Sequence, residues 1–211
     1  LTGLLIDHLT NESEVQFGVR RRIPRILLRC DSQLALHGLV AGLCDTRFEV
    51  RFQCSRALDA LLQRKPELAA PSGEIYVAVE RELRVARPIW ESHRLLDKRE
   101  ASDPYAYLDE HLKERADQSL EHIFSLFAAV LPREPVKIAF RGLHTDDPLL
   151  RGLAMEYLEG VLPPAVWNLL WPVIEPNPAA IHRRPQDEVL SDLLRAHQSM
   201  LMHLNRVDKE T

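Results

Sequence analysis

Two stretches of this chain, one hundred residues apart, carry the same pattern of side chains. AGLCDTRFEVRFQCSRALDALL at 41–62 overlays RGLHTDDPLLRGLAMEYLEGVL at 141–162. Gly42 and Leu43 fall on Gly142 and Leu143, Val50-Arg51 on Leu150-Arg151, Leu58-Asp59 on Leu158-Glu159, and Leu62 on Leu162. A weaker copy lies at an offset of 35, where Val15, Phe17, Ile23, Ile26 and Leu27 fall on Val50, Phe52, Leu58, Leu61 and Leu62. Each copy reads as a short helix, a turn bearing Asp or Thr, and a second helix that opens with an apolar-Arg pair. One such hairpin cannot bury its apolar face alone, and stacking against neighbours completes the core. The repeat predicts an all-α fold, an α-α superhelix of stacked antiparallel helix pairs.

Apolar residues recur at three- and four-residue spacing between clear helix signals, and no segment alternates as a strand would. Helices are predicted at 2–9, 12–29, 32–43, 47–63, 73–97, 104–131, 133–143, 148–161, 164–175 and 186–206. Asn11 to Glu14 and Thr46 to Glu49 read as capping boxes. Asp31, Ser72, Asp103 and Asp147 are further N-cap candidates, the last two before proline, and Pro163-Pro164 opens another helix. The two long central helices, 73–97 with a kink expected at Pro88 and 104–131, form a hairpin. Residues 172–185 hold four prolines and separate a C-terminal capping helix from the body. We therefore expect one helical-repeat domain over 1–211: N-terminal repeats to 65, the long hairpin over 73–131, a further repeat over 133–175, and the cap at 186–206.

The turn and helix DTRFEVRFQCSRALDALL, with Asp45, Val50, Arg51 and Ala57-Leu58, resembles the second half of a HEAT repeat, and DDPLLRGLAMEYLEGVL resembles a second copy. The resemblance covers 11–62 and 133–162, and the long helices between depart from it. It implies that Arg51 and Arg151 lie in the ladder that ties adjacent repeats. The stretch 120–175 also resembles the soluble HEAT-type region that follows bacterial membrane transporters of the nucleotide-translocase type. The transporter half is absent, so no transport residue carries over.

Composition narrows the function classes. A chain that is 45% hydrophobic and 27% charged is ordinary globular material. The net charge of -4 argues against a general nucleic-acid binder. The charge is uneven, however: residues 1–65 carry ten Lys/Arg against seven Asp/Glu. Cys30, Cys44 and Cys54 form no CxxC pair and read as small buried hydrophobes in a reducing compartment, which places the chain in the cytoplasm. No run of ~18 apolar residues spans a membrane, and no signal peptide is evident. The opening Leu1-Thr2-Gly3 lacks Met, so the chain reads as a piece of something longer, tethered to a membrane if the transporter likeness holds.

Residues with chemical potential are few in pattern. Nine histidines fit no metal spacing: HExxH, HxH and Cys/His clusters are missing, and no cofactor is expected. His111 with Glu114, and His122 with Gln118, read as polar contacts, and His197 as a core histidine. No GxGxxG, Walker, GxSxG or SxxK motif occurs. Arg21, Arg25 and Arg29 are spaced by four on the helix expected over 12–29. They predict one outward stripe opposite Val19, Ile23 and Ile26, suited to phosphates, anionic lipid head groups or acidic peptide. Trp167 and Trp171 form an aromatic ridge on the helix over 164–175, another candidate partner surface.

The expected function is a non-catalytic protein-binding, scaffold or regulatory module with a protein partner. The alternative is a HEAT-like protein that binds nucleic acid through the arginine stripe.

Overall fold

The structure is a computed structural model and describes residues 1–11, 13, 15–96, 106–145, 147–174, 187–188 and 190–195. These residues are 82% helical and contain no strand, so the all-α fold class holds. The chain divides into two compact units, Leu1–Val130 and Leu131–Thr211, and each holds one of the two matched hairpins.

In the first unit α1 (Thr2–Thr10), α2 (Phe17–Arg20) and α3 (Ile23–Leu27) lead through a 3₁₀ turn, Leu28–Cys30, into α4 (Gln33–Gly42) and α5 (Phe48–Arg64). Two helices of 25 residues follow, α6 (Ser72–Leu96) and α7 (Ala106–Val130). α6 stays helical past Pro88. α1 packs on α3 and α4, α4 on α5, α5 on α7, and α7 on α6. Leu9, Leu27, Leu36, Leu39, Leu58, Leu61, Ile75, Ile123 and Phe127 fill the space between them, all fully buried. The second unit has α8 (Arg133–Leu143), α9 (Pro148–Val161) and α10 (Pro164–Ile174), with α9 packed on both others. The cap expected over 186–206 lies mostly outside the described residues, which are helical at 187–188 and 190–195.

The two hairpins share detail beyond their apolar pattern. A Cβ added at Gly42 would meet Cys54 Sγ at 2.5 Å, and one added at Gly142 would meet Ala154 Cβ at 3.0 Å. The contacted residues are themselves one hundred apart, so the same close helix approach recurs at the same place. In the turns, Asp45 Oδ1 accepts from the Arg47 amide at 2.7 Å and Thr145 Oγ1 from the Asp147 amide at 3.3 Å. These local side-chain bonds start each second helix. Val50, Leu58, Leu150, Leu158 and Leu162 are buried as the repeat predicts, while Leu62 is only half-buried.

Arg51 and Arg151 close the hairpins from equivalent positions. Arg51 donates to the carbonyls of Asp45 and Thr46, both at 3.0 Å. Arg151 donates to Leu143 O at 2.6 Å and to Ile174 O at the end of α10. Asp45 and Thr46 lie in the turn before α5 and Leu143 closes α8, places where carbonyls lack helical partners, and a guanidinium with five donors supplies them.

Four expectations need correction. The helix predicted over 12–29 is not continuous: it is α2, a turn at Arg21-Arg22, α3 and the 3₁₀ turn. Pro24 explains the break, because its ring clashes with the carbonyl four residues back and it lacks an N–H, so the helix restarts with Pro24 in its first turn. The offset-35 copy fails with it, since Ile26 is 48% exposed where Leu61 is buried. The capping residue of α5 is Arg47, whose side chain makes no cap bond, rather than Thr46. Ser32, not Asp31, caps α4, accepting from the Ala35 amide at 3.2 Å. Asp31 instead adopts a left-handed backbone, φ 42°, after the 3₁₀ turn and pairs with Arg64. Asp147 caps α9 as expected, accepting from the Leu149 and Leu150 amides at 2.9 and 3.3 Å.

Candidate functional site

Polar side chains in the first unit sort into an interior set and an outward set. The interior set joins α5, α6 and α7. Arg51 Nε donates to Glu82 Oε2 at 2.9 Å, and both side chains are nearly inaccessible. His122 Nδ1 lies 2.7 Å from Ser55 Oγ, which itself donates to Phe52 O at 3.0 Å. The hydroxyl proton is thereby committed, so Ser55 accepts from an Nδ1–H imidazole. His122 Nε2 stands 3.7 Å from Glu82 Oε2, beyond hydrogen-bond range. Phe48 and Phe52 wall the ring edge-on, with centroids 5.7 and 6.3 Å away.

Charge in this interior is one-sided for a histidine. Burial first, then the guanidinium groups of Arg51 and Arg115, push the His122 pKa down to about 3. Glu82 would favour the imidazolium, but two cations and desolvation outweigh one carboxylate already held by Arg51. Arg115 stacks on Phe48 with Cζ 3.2 Å from the ring centroid. Burial lowers its pKa, while Glu49 and Glu82 oppose that shift. Nearby, burial and Asp45 push the Cys54 thiol up, which leaves it an unreactive core group.

Ser55, His122 and Glu82 are the residue types of a nucleophile-base-acid relay. The wiring differs from one. Ser55 is 1% exposed and its proton points to a carbonyl, and a base with a pKa near 3 takes no proton at neutral pH. The cluster ties three helices together.

The outward set includes the sequence-predicted arginines. Arg21, Arg25 and Arg29 are all exposed, as expected, but they stand on three different local structures rather than one helical stripe. Their supposed apolar backing is also partly wrong: Ile23 is buried, while Val19 and Ile26 are about half exposed. Arg21 Cζ lies 5.6 Å from the centroid of Phe17, and Arg47 Cζ lies 5.8 Å from the same centroid. The structure thus joins Arg21 to Arg47, with no such contact to Arg25 or Arg29. Arg56 stacks on Phe52 in the same manner, at 5.7 Å. Beneath this surface the neighbouring Arg20 is buried in an ion pair with Asp45. In the second unit Trp167 and Trp171 are half-buried and tilted against each other, with centroids 5.0 Å apart.

Sequence reasoning missed Glu82, Ser55 and Arg47. Glu82 carried a signal: it sits on the buried stripe of Ile75, Val79, Leu83 and Ala86, where an unpaired carboxylate is costly. Ser55 and His122 are 67 residues apart, a separation no local spacing reveals. His122 contacts Ser55 rather than Gln118, which donates to Glu114 at 3.1 Å. The side chain of His111, and His197, lie outside the described residues. Of the three cysteines only Cys54 is buried; Cys44 is exposed.

No group of three or more His, Cys, Asp or Glu suited to a metal occurs among the described residues. No described helix is long and apolar enough to cross a membrane. In comparisons with known proteins, no family model, no curated protein and no solved structure matches the chain.

Proposed function

We propose that the chain is a non-catalytic binding module built of HEAT-like helical hairpins, which holds a partner protein through its outward arginines. One observation carries this reading: Ser55, His122 and Glu82 are held in the interior of the first unit, while a run of arginines near α2 and the start of α5 stands exposed. Arg21, Arg22, Arg25, Arg29 and Arg47 are exposed, and none of them makes an ion pair among the described residues. Guanidinium forks recognise carboxylates and phosphates in two-point geometry, and two of these are already oriented by an aromatic ring. The recurring hairpin, with the same glycine approach and the same arginine closure in both copies, supports the helical-repeat part of the proposal.

The test places a photo-crosslinking residue at Gln16, beside the arginines, and compares adducts in the protein's own cells. An acidic partner should crosslink to the wild type and be lost from the Arg21→Glu, Arg25→Glu, Arg29→Glu variant at unchanged melting temperature. Adducts with nucleic acid in place of protein, or adducts indifferent to the charge reversal, contradict the proposal.

A further inference from the structure

We infer that Arg21, Phe17 and Arg47 form a preformed site for a single phosphate dianion, of the kind carried by a phosphorylated side chain. The inference rests on the binding-module reading and narrows it to one ligand chemistry. Two guanidinium groups share one ring, at 5.6 and 5.8 Å from its centroid, inside the range where cation and ring attract. The ring holds each cation near it, and an anion that reaches both forks would join them.

The backbones that carry the two arginines are fixed by one carboxylate. Asp45 pairs through Oδ2 with the buried Arg20, the residue before Arg21. Through Oδ1 it accepts from the Arg47 amide at 2.7 Å. The end of α2 and the start of α5 are therefore pinned to the same buried group. Both side chains project outward from that anchor and are exposed. A ligand that meets oriented donors loses less entropy on binding than one that must order them.

Charge and oxygen number together select the ligand. Each guanidinium offers a two-pronged fork, and a carboxylate brings two oxygens and a single negative charge to two cations. A phosphate monoester has three free oxygens and nearly two charges at neutral pH, enough for both. A polyphosphate backbone fits less well, because Glu49 is exposed in the first turn of α5, just past Arg47.

The experiment is an NMR titration of the whole chain with inorganic phosphate, a phosphoserine peptide, the same peptide unphosphorylated, and acetate. Saturable shifts should appear at the Nε–H signals of Arg21 and Arg47 and at the Phe17 ring with the two phosphate-bearing probes. Acetate and the unphosphorylated peptide should bind at least tenfold more weakly. Affinity should also fall as pH drops below about 6, where the monoester takes up its second proton. Arg47→Gln and Arg21→Gln should each weaken phosphate binding about tenfold, whereas Arg29→Gln should leave it within twofold. No saturable shift, equal response to acetate, or binding unchanged by Arg47→Gln overturns the inference. If phosphate fails while charge reversal at Arg21, Arg25 and Arg29 still abolishes partner crosslinking, the phosphate site falls and the binding-module reading stands. If phosphate binds and Arg47→Gln weakens it while crosslinking ignores the charge reversal, the phosphate site holds and the broader reading falls.

Discussion

At the scale of single residues, the interior of the first unit turns on Glu82. It receives Arg51 at 2.9 Å in a place where neither side chain reaches solvent. Removing one partner of such a pair strands the other charge, which typically costs about 3–5 kcal/mol. Glu82→Gln should therefore lower the unfolding free energy by about that amount in a denaturant titration. Glu82→Gln combined with Arg51→Met should recover part of the loss, because no charge is then left buried. His122 adds a pH dependence whose sign follows from its lowered pKa. The unfolded chain takes up a proton near pH 6.5, and the folded chain does not until about pH 3. The contribution is fully present above about pH 6.5 and is lost as pH falls toward 3, with a slope near 1.4 kcal/mol per pH unit. His122→Asn should flatten that part of the stability profile. A profile with the same slope in both proteins would show that His122 is not the group responsible.

At the scale of elements, the second helix of each hairpin was legible from the sequence and the 17–30 region was not. Helices α5 and α9 carry their apolar stripe and their turn signals within one short window, so local pattern and tertiary burial agree. Between 17 and 30 the apolar spacing imitates one helix, while Pro24 forbids it. The outward position of Arg21, Arg25 and Arg29 survives that error, while Arg20 beside them turns inward because Asp45 is there to pair with it. What stayed illegible was the pairing of Arg21 with Arg47 through Phe17, which depends on where two helix ends meet. The recurrence of the close approach can be tested directly. Leu58→Ala and Leu158→Ala should each cost about 2–5 kcal/mol, as buried leucines do. Gly42→Ala should cost about 1–3 kcal/mol through overpacking against Cys54 and Leu9. Cys54→Ala should relieve part of that cost, since it installs the residue that faces Gly142 in the other hairpin. Additive effects of Gly42→Ala and Cys54→Ala would show that the two do not meet as described.

At the scale of the whole molecule, the proposed role is the binding of a partner through the exposed arginines. Ser55, His122 and Glu82 are closed inside the first unit, while Arg21, Arg22, Arg25, Arg29 and Arg47 face out. The most direct measurement is the yield of the protein crosslink at Gln16 from wild type and from the Arg21→Glu, Arg25→Glu, Arg29→Glu variant, with melting temperatures matched. The account predicts a defined acidic protein adduct on the wild type and at least a tenfold loss on the variant. Equal adduct yield from both proteins, or no protein adduct from either, would contradict it.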